Sequence, residues 1–182
     1  MKFKLLILVL ALQSSWILGT VLVQERALRV GVVILLETRP VDPRDLLRGD
    51  YVILNYKISG IPTNLFSPPL KDNLPSGKTV WVALARRGEF HEIVRAGIER
   101  FEPGVSEILV KAKADWWSAG PSASLEVRVE YGLERYYVSE GTDNPRGKLT
   151  VQAVVPTSGR ASIKQVFLDG KPYAEVMKAA AR

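Results

Sequence analysis

The 182-residue sequence contains no cysteine and a single histidine, His91. The first absence excludes a disulfide framework, a thiolate nucleophile and every cysteine-containing metal site. The second excludes any centre built on two imidazoles. There is also no concentrated tract of one charge. The formal net charge of +6 is dispersed, and its densest points are only Arg86/Arg87 and Lys111/Lys113. Nucleic-acid surfaces gather basic residues on one face with interleaved aromatics, so no nucleic-acid partner is expected. An anionic membrane surface needs less organisation to attract such a chain. No internal repeat, low-complexity tract or second-domain boundary is visible.

What the chain does have is one long uncharged run. After Lys2 and Lys4, residues 5–23 carry no charge, and their weakest apolar positions are Gln13, Ser14, Ser15 and Thr20. As a helix this run spans roughly 28 Å, close to the bilayer core thickness of about 30 Å. The following segment, VLVQER, lacks the small residues of a cleavage site, so retention as an anchor is expected rather than removal. The division predicted is a membrane anchor over 1–26 and one extracytoplasmic β-rich domain over 27–182. Lys2 and Lys4 are nearly balanced by Arg26 and Arg29. The short N-terminal tail then favours a single pass through the cytoplasmic (inner) membrane, with lipid contacts through residues 5–23.

Beyond the anchor the pattern is that of strands. Residues 28–36 are continuously apolar and β-branched, as in a buried strand. Residues 51–58 form a second strand, 60–78 a long loop rich in Pro, Asn, Ser and Gly, and 78–85 and 89–98 a hairpin around a turn at Arg86-Arg87-Gly88. Residues 108–114 follow. The cleanest alternation is Leu125, Val127, Val129 and Tyr131 against Glu126, Arg128 and Glu130, an antiparallel strand with one wet face. Strands over 149–155 and 163–168 complete the set, and 172–182 has the composition of a short C-terminal helix. Seven or eight short strands without intervening helices predict a mainly β, antiparallel sandwich or irregular barrel.

Residues 39–56 read RPVDPRDLLRGDYVILNY and contain the pattern G-D-Y-x-x-L-x-Y, carried by Gly49, Asp50, Tyr51, Leu54 and Tyr56. A second segment, YGLERYYVSEG at 131–141, supplies Glu134, Tyr136 and Glu140. Together they resemble the GDYXXLXY family of bacterial membrane-anchored proteins, a family with no established activity. Its members accompany multi-pass membrane proteins, so the resemblance implies a membrane-protein partner.

The residues have their own physical logic. Pro40 and Pro43 fix φ and break the preceding strand. Gly49 suits a bulge or positive φ, and Asp50 can cap the turn by accepting backbone N–H groups. In a regular strand Val52, Leu54, Tyr56 and Ile58 share one face, with Tyr51, Ile53, Asn55 and Lys57 on the other. Tyr51 and Tyr56 then point apart, which favours a turn-and-core role for the motif over a single binding patch.

Candidate chemistry is sparse. Glu37, Asp42, Asp45 and Asp50 are close in sequence, but Arg39, Arg44 and Arg48 alternate with them, so a salt-bridged turn is expected and no metal or other cofactor. The stretch RGDYV resembles strands of membrane-bound signal peptidases. Their nucleophilic serine stands next to a methionine, whereas neither Met1 nor Met177 follows a serine here. The Trp116-Trp117 pair beside a Ser/Gly/Pro loop is a candidate interface contact, with packing beneath the loop as the alternative. The expected function is a non-enzymatic accessory or interaction domain for a membrane protein or envelope component. A membrane-bound hydrolase and a small-ligand or peptide receptor are the alternatives.

Overall fold

The computed structural model describes residues 2–39, 51–70, 74–115, 126–138 and 147–180. The first element, α1 (Lys2–Val30), is long and apolar: its stretch Lys4–Val23 is able to cross a membrane by length and composition. Leu5, Leu8, Leu12, Trp16, Leu18 and Val23 all project away from the rest of the chain. The helix continues past the apolar run, and Arg29 pairs with Glu25 one turn earlier. Residues 28–30, expected to open the first strand, are therefore helical. Gly31 alone separates α1 from β1 (Val32–Glu37).

The strands that follow are β2 (Tyr51–Ile53), β3 (Gly60–Pro62), β4 (Thr79–Arg87), β5 (Phe90–Gly97), β6 (Glu107–Ala114), β7 (Glu126–Glu130), β8 (Arg135–Tyr137), β9 (Leu149–Val155), β10 (Ser162–Leu168) and β11 (Lys171–Pro172). A short helix, α2 (Tyr173–Ala180), ends the described chain, as its composition predicts. Named strands pair antiparallel in three sheets, ordered β1-β9-β10-β11, β2-β8 and β3-β7-β6-β4-β5. Among the described residues the sheets form no closed barrel. The two larger ones share one buried cluster, with Ile34, Leu36, Val151 and Val166 from the first and Val80, Val82, Leu84 and Val110 from the second.

Local chemistry explains where element boundaries depart from expectation. The β4–β5 hairpin turns on Gly88 and Glu89, with Gly88 at φ +63°, so Arg86 and Arg87 stay inside β4 opposite His91 and Phe90. Such a two-residue hairpin needs the left-handed backbone that glycine adopts at no steric cost. The segment expected as a loop from residue 60 begins with β3. Its Pro62 lacks an N–H, which suits a strand at the edge of its sheet. The β9–β10 turn is pressed onto β6, where the Lys111 N–H donates to the Gly159 carbonyl at 2.8 Å. Gly159 has φ +79°, and a Cβ there would lie 2.7 Å from the Trp81 ring.

β1 is an edge strand of its sheet, and its open side is closed by polar contacts. The Leu35 N–H donates to His91 Nδ1 at 3.2 Å, Thr38 bridges to Tyr56, and the Arg39 N–H donates to the Asn55 carbonyl at 2.7 Å. The Thr38 hydroxyl, buried, donates to the Leu149 carbonyl at 2.6 Å. Covering an edge in this way removes a template for unwanted strand pairing.

Burial holds the His91 imidazole below its ordinary pKa, and the Arg86 charge acts in the same direction. Protonating Nδ1 would also break the bond from Leu35. Because the folded-state pKa is depressed, this contribution to stability is present above the unfolded pKa of about 6.5 and is lost as pH falls through the folded value. The thermal unfolding midpoint in mild detergent is expected to fall on acidification from pH 7.5 to 5. His91→Asn, whose side-chain oxygen can still accept from Leu35, flattens that dependence; an unchanged pH profile in the variant contradicts the role.

Candidate functional site

The two motif segments, about eighty residues apart in sequence, meet as the β2–β8 sheet. Tyr51 pairs with Tyr137, Val52 with Tyr136 and Ile53 with Arg135. The ladder is prolonged by the Leu54 N–H, which donates to the Glu134 carbonyl at 2.8 Å. Regular strand geometry ends at Ile53, earlier than expected, but the alternation of faces persists through the extended stretch. Val52, Leu54, Tyr56 and Ile58 are all buried, whereas Tyr51, Ile53 and Asn55 are half-buried.

The inner face is a reciprocal clasp. Tyr56 is fully buried, and its hydroxyl donates to the Leu133 carbonyl at 2.7 Å. Tyr131 returns the bond, its hydroxyl donating to the Ile58 carbonyl at 2.8 Å. Each tyrosine thus ties its own segment to the backbone of the other, and each satisfies its buried hydroxyl in doing so. Burial, and secondarily the charge of Glu134, push both phenols well above the ordinary tyrosine pKa, so neither serves as a base.

Glu134 sits in the turn beneath them. Its Oε1 accepts the Tyr131 N–H at 2.6 Å. Burial raises its pKa, and the Glu130 charge adds to the rise; the backbone N–H groups of Tyr131, Gly132 and Glu134 itself oppose it without cancelling it. Tyr136 packs edge-on against Tyr173 of α2, with ring centroids 5.7 Å apart. The Tyr173 hydroxyl is buried with no hydrogen-bond partner among the described residues.

The outer face is different in kind. Tyr51 and Tyr137 stand side by side with centroids 6.0 Å apart, and the Arg135 guanidinium lies 5.6 Å from the Tyr51 ring. Tyr137 is 70% exposed. The result is an aromatic–cation patch open to solvent on a backbone fixed by the clasp beneath. Arg135 and Tyr137 are not conspicuous in the sequence. Their alternation marks one face of a strand, but only the cross-strand register puts that face beside Tyr51.

Of the other sequence candidates, Gly49, Asp50, Trp116, Trp117 and Glu140 lie outside the described residues, as do Asp42 and Asp45. Glu37 is bound by two lysines, with Lys57 Nζ at 2.5 Å and Lys148 Nζ at 2.7 Å. Hydrogen bonds from Lys148, then Lys57, hold its carboxyl below the ordinary range. No group of three or more His, Asp or Glu side chains suited to a metal occurs among the described residues.

The GDYXXLXY protein model matches residues 13–166. The chain belongs to the GDYXXLXY family. No curated protein and no solved structure matches it significantly. Within this GDYXXLXY protein the leucine and second tyrosine of the motif are core residues, and the first tyrosine belongs to the outer patch.

Two substitutions separate a satisfied buried hydroxyl from an unsatisfied one. Tyr56→Phe leaves the Leu133 carbonyl without its donor and is expected to cost about 1–3 kcal/mol of unfolding free energy. Tyr173→Phe removes a hydroxyl that bonds to nothing described, and is expected to be neutral or stabilising. Equal losses in chemical denaturation would refute the distinction. For Glu134 the raised folded pKa means that its favourable contribution is present below the unfolded carboxyl value and is lost as pH rises through the folded one. Glu134→Gln is therefore expected to raise the thermal midpoint at pH 7, with the difference closing near pH 4.

Proposed function

We propose that this GDYXXLXY protein is a non-enzymatic, membrane-anchored interaction module whose β2–β8 outer face engages a membrane protein or envelope component. In this reading α1 spans the cytoplasmic membrane and residues 27–182 stand on the extracytoplasmic side. The observation that carries it is the patch of exposed Tyr137 and Arg135 beside the half-buried Tyr51. Tyrosine and arginine are enriched where binding energy concentrates in protein interfaces, because they offer large contact area together with polar ends. The inner clasp supports the same view: it holds the presenting strands in place, so little ordering entropy is lost when a partner docks.

The position of the patch constrains the partner. From Val32 to Thr38 the chain runs away from the anchor for up to roughly 20 Å. The β2–β8 pair continues from that far end, through the bond between Arg39 and Asn55 and the Leu54–Glu134 ladder. A partner reaching it presents a part that rises above the bilayer surface.

Affinity purification of the full chain in mild detergent tests this. A membrane-protein or envelope partner is expected to co-purify, and the Arg135→Ala/Tyr137→Ala variant is expected to recover at least tenfold less of it at unchanged thermal stability. Recovery of a lone monomer, or equal recovery with the variant, overturns the interaction reading. Anchoring is checked separately: protein recovered in the aqueous fraction and beginning after residue 23 would refute it.

A further inference from the structure

A second feature lies at the opposite end of the extramembrane chain. Between the last turns of α1 and the neighbouring strand ends is a groove of about 570 Å³, a size that accommodates small organic groups. Val23, Val30 and Val155 contribute apolar walls, and Arg26 and Arg100 contribute cationic ones. Val23 is also the last residue of the apolar span Lys4–Val23. In an anchored chain the groove therefore starts where hydrocarbon gives way to headgroups.

The charges lining this groove are unevenly satisfied. Arg100 is held in place: its Nη2 donates to the Thr157 carbonyl at 3.1 Å, and its guanidinium lies 5.2 Å from the Trp81 ring centre. Neither contact neutralises it. Arg26 makes no ion pair among the described residues, since its neighbours Glu25 and Arg29 pair with each other. On the acidic side, Glu107 is already occupied. Arg95 bridges to it at 2.8 Å and the Gly104 N–H donates to the same oxygen. Glu102 is the remaining carboxylate, so two uncompensated guanidinium groups face one carboxylate.

Apolar exposure clusters at the same end. Val30 and Val32 are exposed on the anchor side, and Ile98 and Val105 are exposed in the β5–β6 connection that supplies Arg100 and Glu102. Single exposed valines are ordinary on a soluble surface. Val30 and Val32 in the lining of a groove that continues a membrane-spanning helix, with Ile98 and Val105 in the adjoining β5–β6 connection, form a surface suited to the boundary between headgroups and acyl chains.

From this juxtaposition we infer that the groove is a binding site for an anionic phospholipid, with its phosphodiester between Arg26 and Arg100 and the start of its acyl chains along Val23 and Val30. Guanidinium groups match phosphate oxygens in geometry and charge. The excess of arginine over free carboxylate selects an anionic headgroup over a zwitterionic one. The inference rests on the anchored reading of α1 and is independent of what the distal tyrosine patch binds.

The test uses the full chain reconstituted in nanodiscs of three parts phosphatidylethanolamine to one part phosphatidylglycerol. The chain is then released into mild detergent, and retained lipids are counted by native mass spectrometry. Phosphatidylglycerol is expected to be enriched at least fivefold over the bulk ratio, at about one molecule per chain. Arg26→Gln/Arg100→Gln is expected to return retention to the bulk ratio. Arg26→Gln alone, at an exposed residue without a structural partner, is expected to reduce it at unchanged thermal stability. Lys171→Gln/Lys178→Gln removes the same charge from the far end and is expected to leave enrichment intact. Bulk-ratio lipid on the native chain overturns the site, as does equal loss in the lysine control or full retention in the arginine variants. A partner helix filling the groove in place of lipid would give the first of these results. A chain that fails to enter the discs refutes the anchor and the lipid site together, whereas a chain that enters without enrichment refutes the lipid site alone.

Discussion

The arrangement of this molecule depends on the hydrogen bonding of β1. Only Gly31 separates the strand from α1, so the backbone pairing that holds β1 also fixes where the sheets begin relative to the helix. One side of β1 runs along β9 from Val32 opposite Val155 to Glu37 opposite Thr150. The other side is met by His91 of β5, and just past the strand by Tyr56 and Asn55. A single six-residue strand thus joins the helix, both large sheets and the motif segment. Release of that strand would free the helix and the motif segment from these contacts, while the two large sheets would keep their shared core and the bond from Lys111 to Gly159.

The GDYXXLXY motif follows from the same economy of contacts. Its spacing sends Leu54 and Tyr56 inward and Tyr51 outward, because side chains alternate along extended backbone. Leucine fills the core. Tyrosine at 56 adds what leucine cannot, a hydroxyl that reaches the carbonyl of Leu133 across the fold, and Tyr131 completes the exchange by reaching Ile58. Phenols so deeply buried and so fully occupied have no proton chemistry near neutral pH. The inner half of the motif is explained by structure alone. The outer half is not: Tyr137 and Arg135 are exposed beside the half-buried Tyr51, and their exposure directs attention to a partner rather than to stability.

Sequence periodicity revealed elements wherever one face is wet and the other dry. β7 alternates exposed and buried residues through all five positions, as Glu126 to Glu130 predict. The same rule identified which side chains of residues 51–58 face inward, yet it did not show that the strand stops at Ile53. There, one more bond to Glu134 prolongs the ladder, then Asn55 and Tyr56 turn to Arg39 and Thr38, and a 3-10 turn follows at Lys57–Ser59. Those exchanges are tertiary and leave no local signature. β3 was hidden for a related reason, since three residues containing Gly60 and Pro62 resemble a loop until β7 is seen beside them. The pairing of β2 with β8 was not legible, since the sequence showed only that two distant segments resemble the same family. Register between such segments is decided by packing, and no spacing rule supplies it.

The dispersed positive charge acquires meaning from the same geometry. Counted along the chain, its lysines and arginines form no patch, and that argues only against nucleic acid. In three dimensions they divide by what each one meets. Lys57 and Lys148 pair with Glu37, and Arg95 with Glu107; Lys148 and Arg95 also lie over the Phe90 and Phe101 rings, so their ring contacts come with a carboxylate partner. Arg135 lies against an aromatic ring and Arg100 against another. A cation over an aromatic face keeps its charge while losing freedom of movement, so it remains available to an anion at little further entropic cost. Arg100 and Arg135 are both in that state, one beside the end of α1 and one in the motif sheet at the far end of β1. A ring contact fixes the position of these guanidinium groups without cancelling their charge, as a carboxylate would, so both remain full cations at two separate places in the fold.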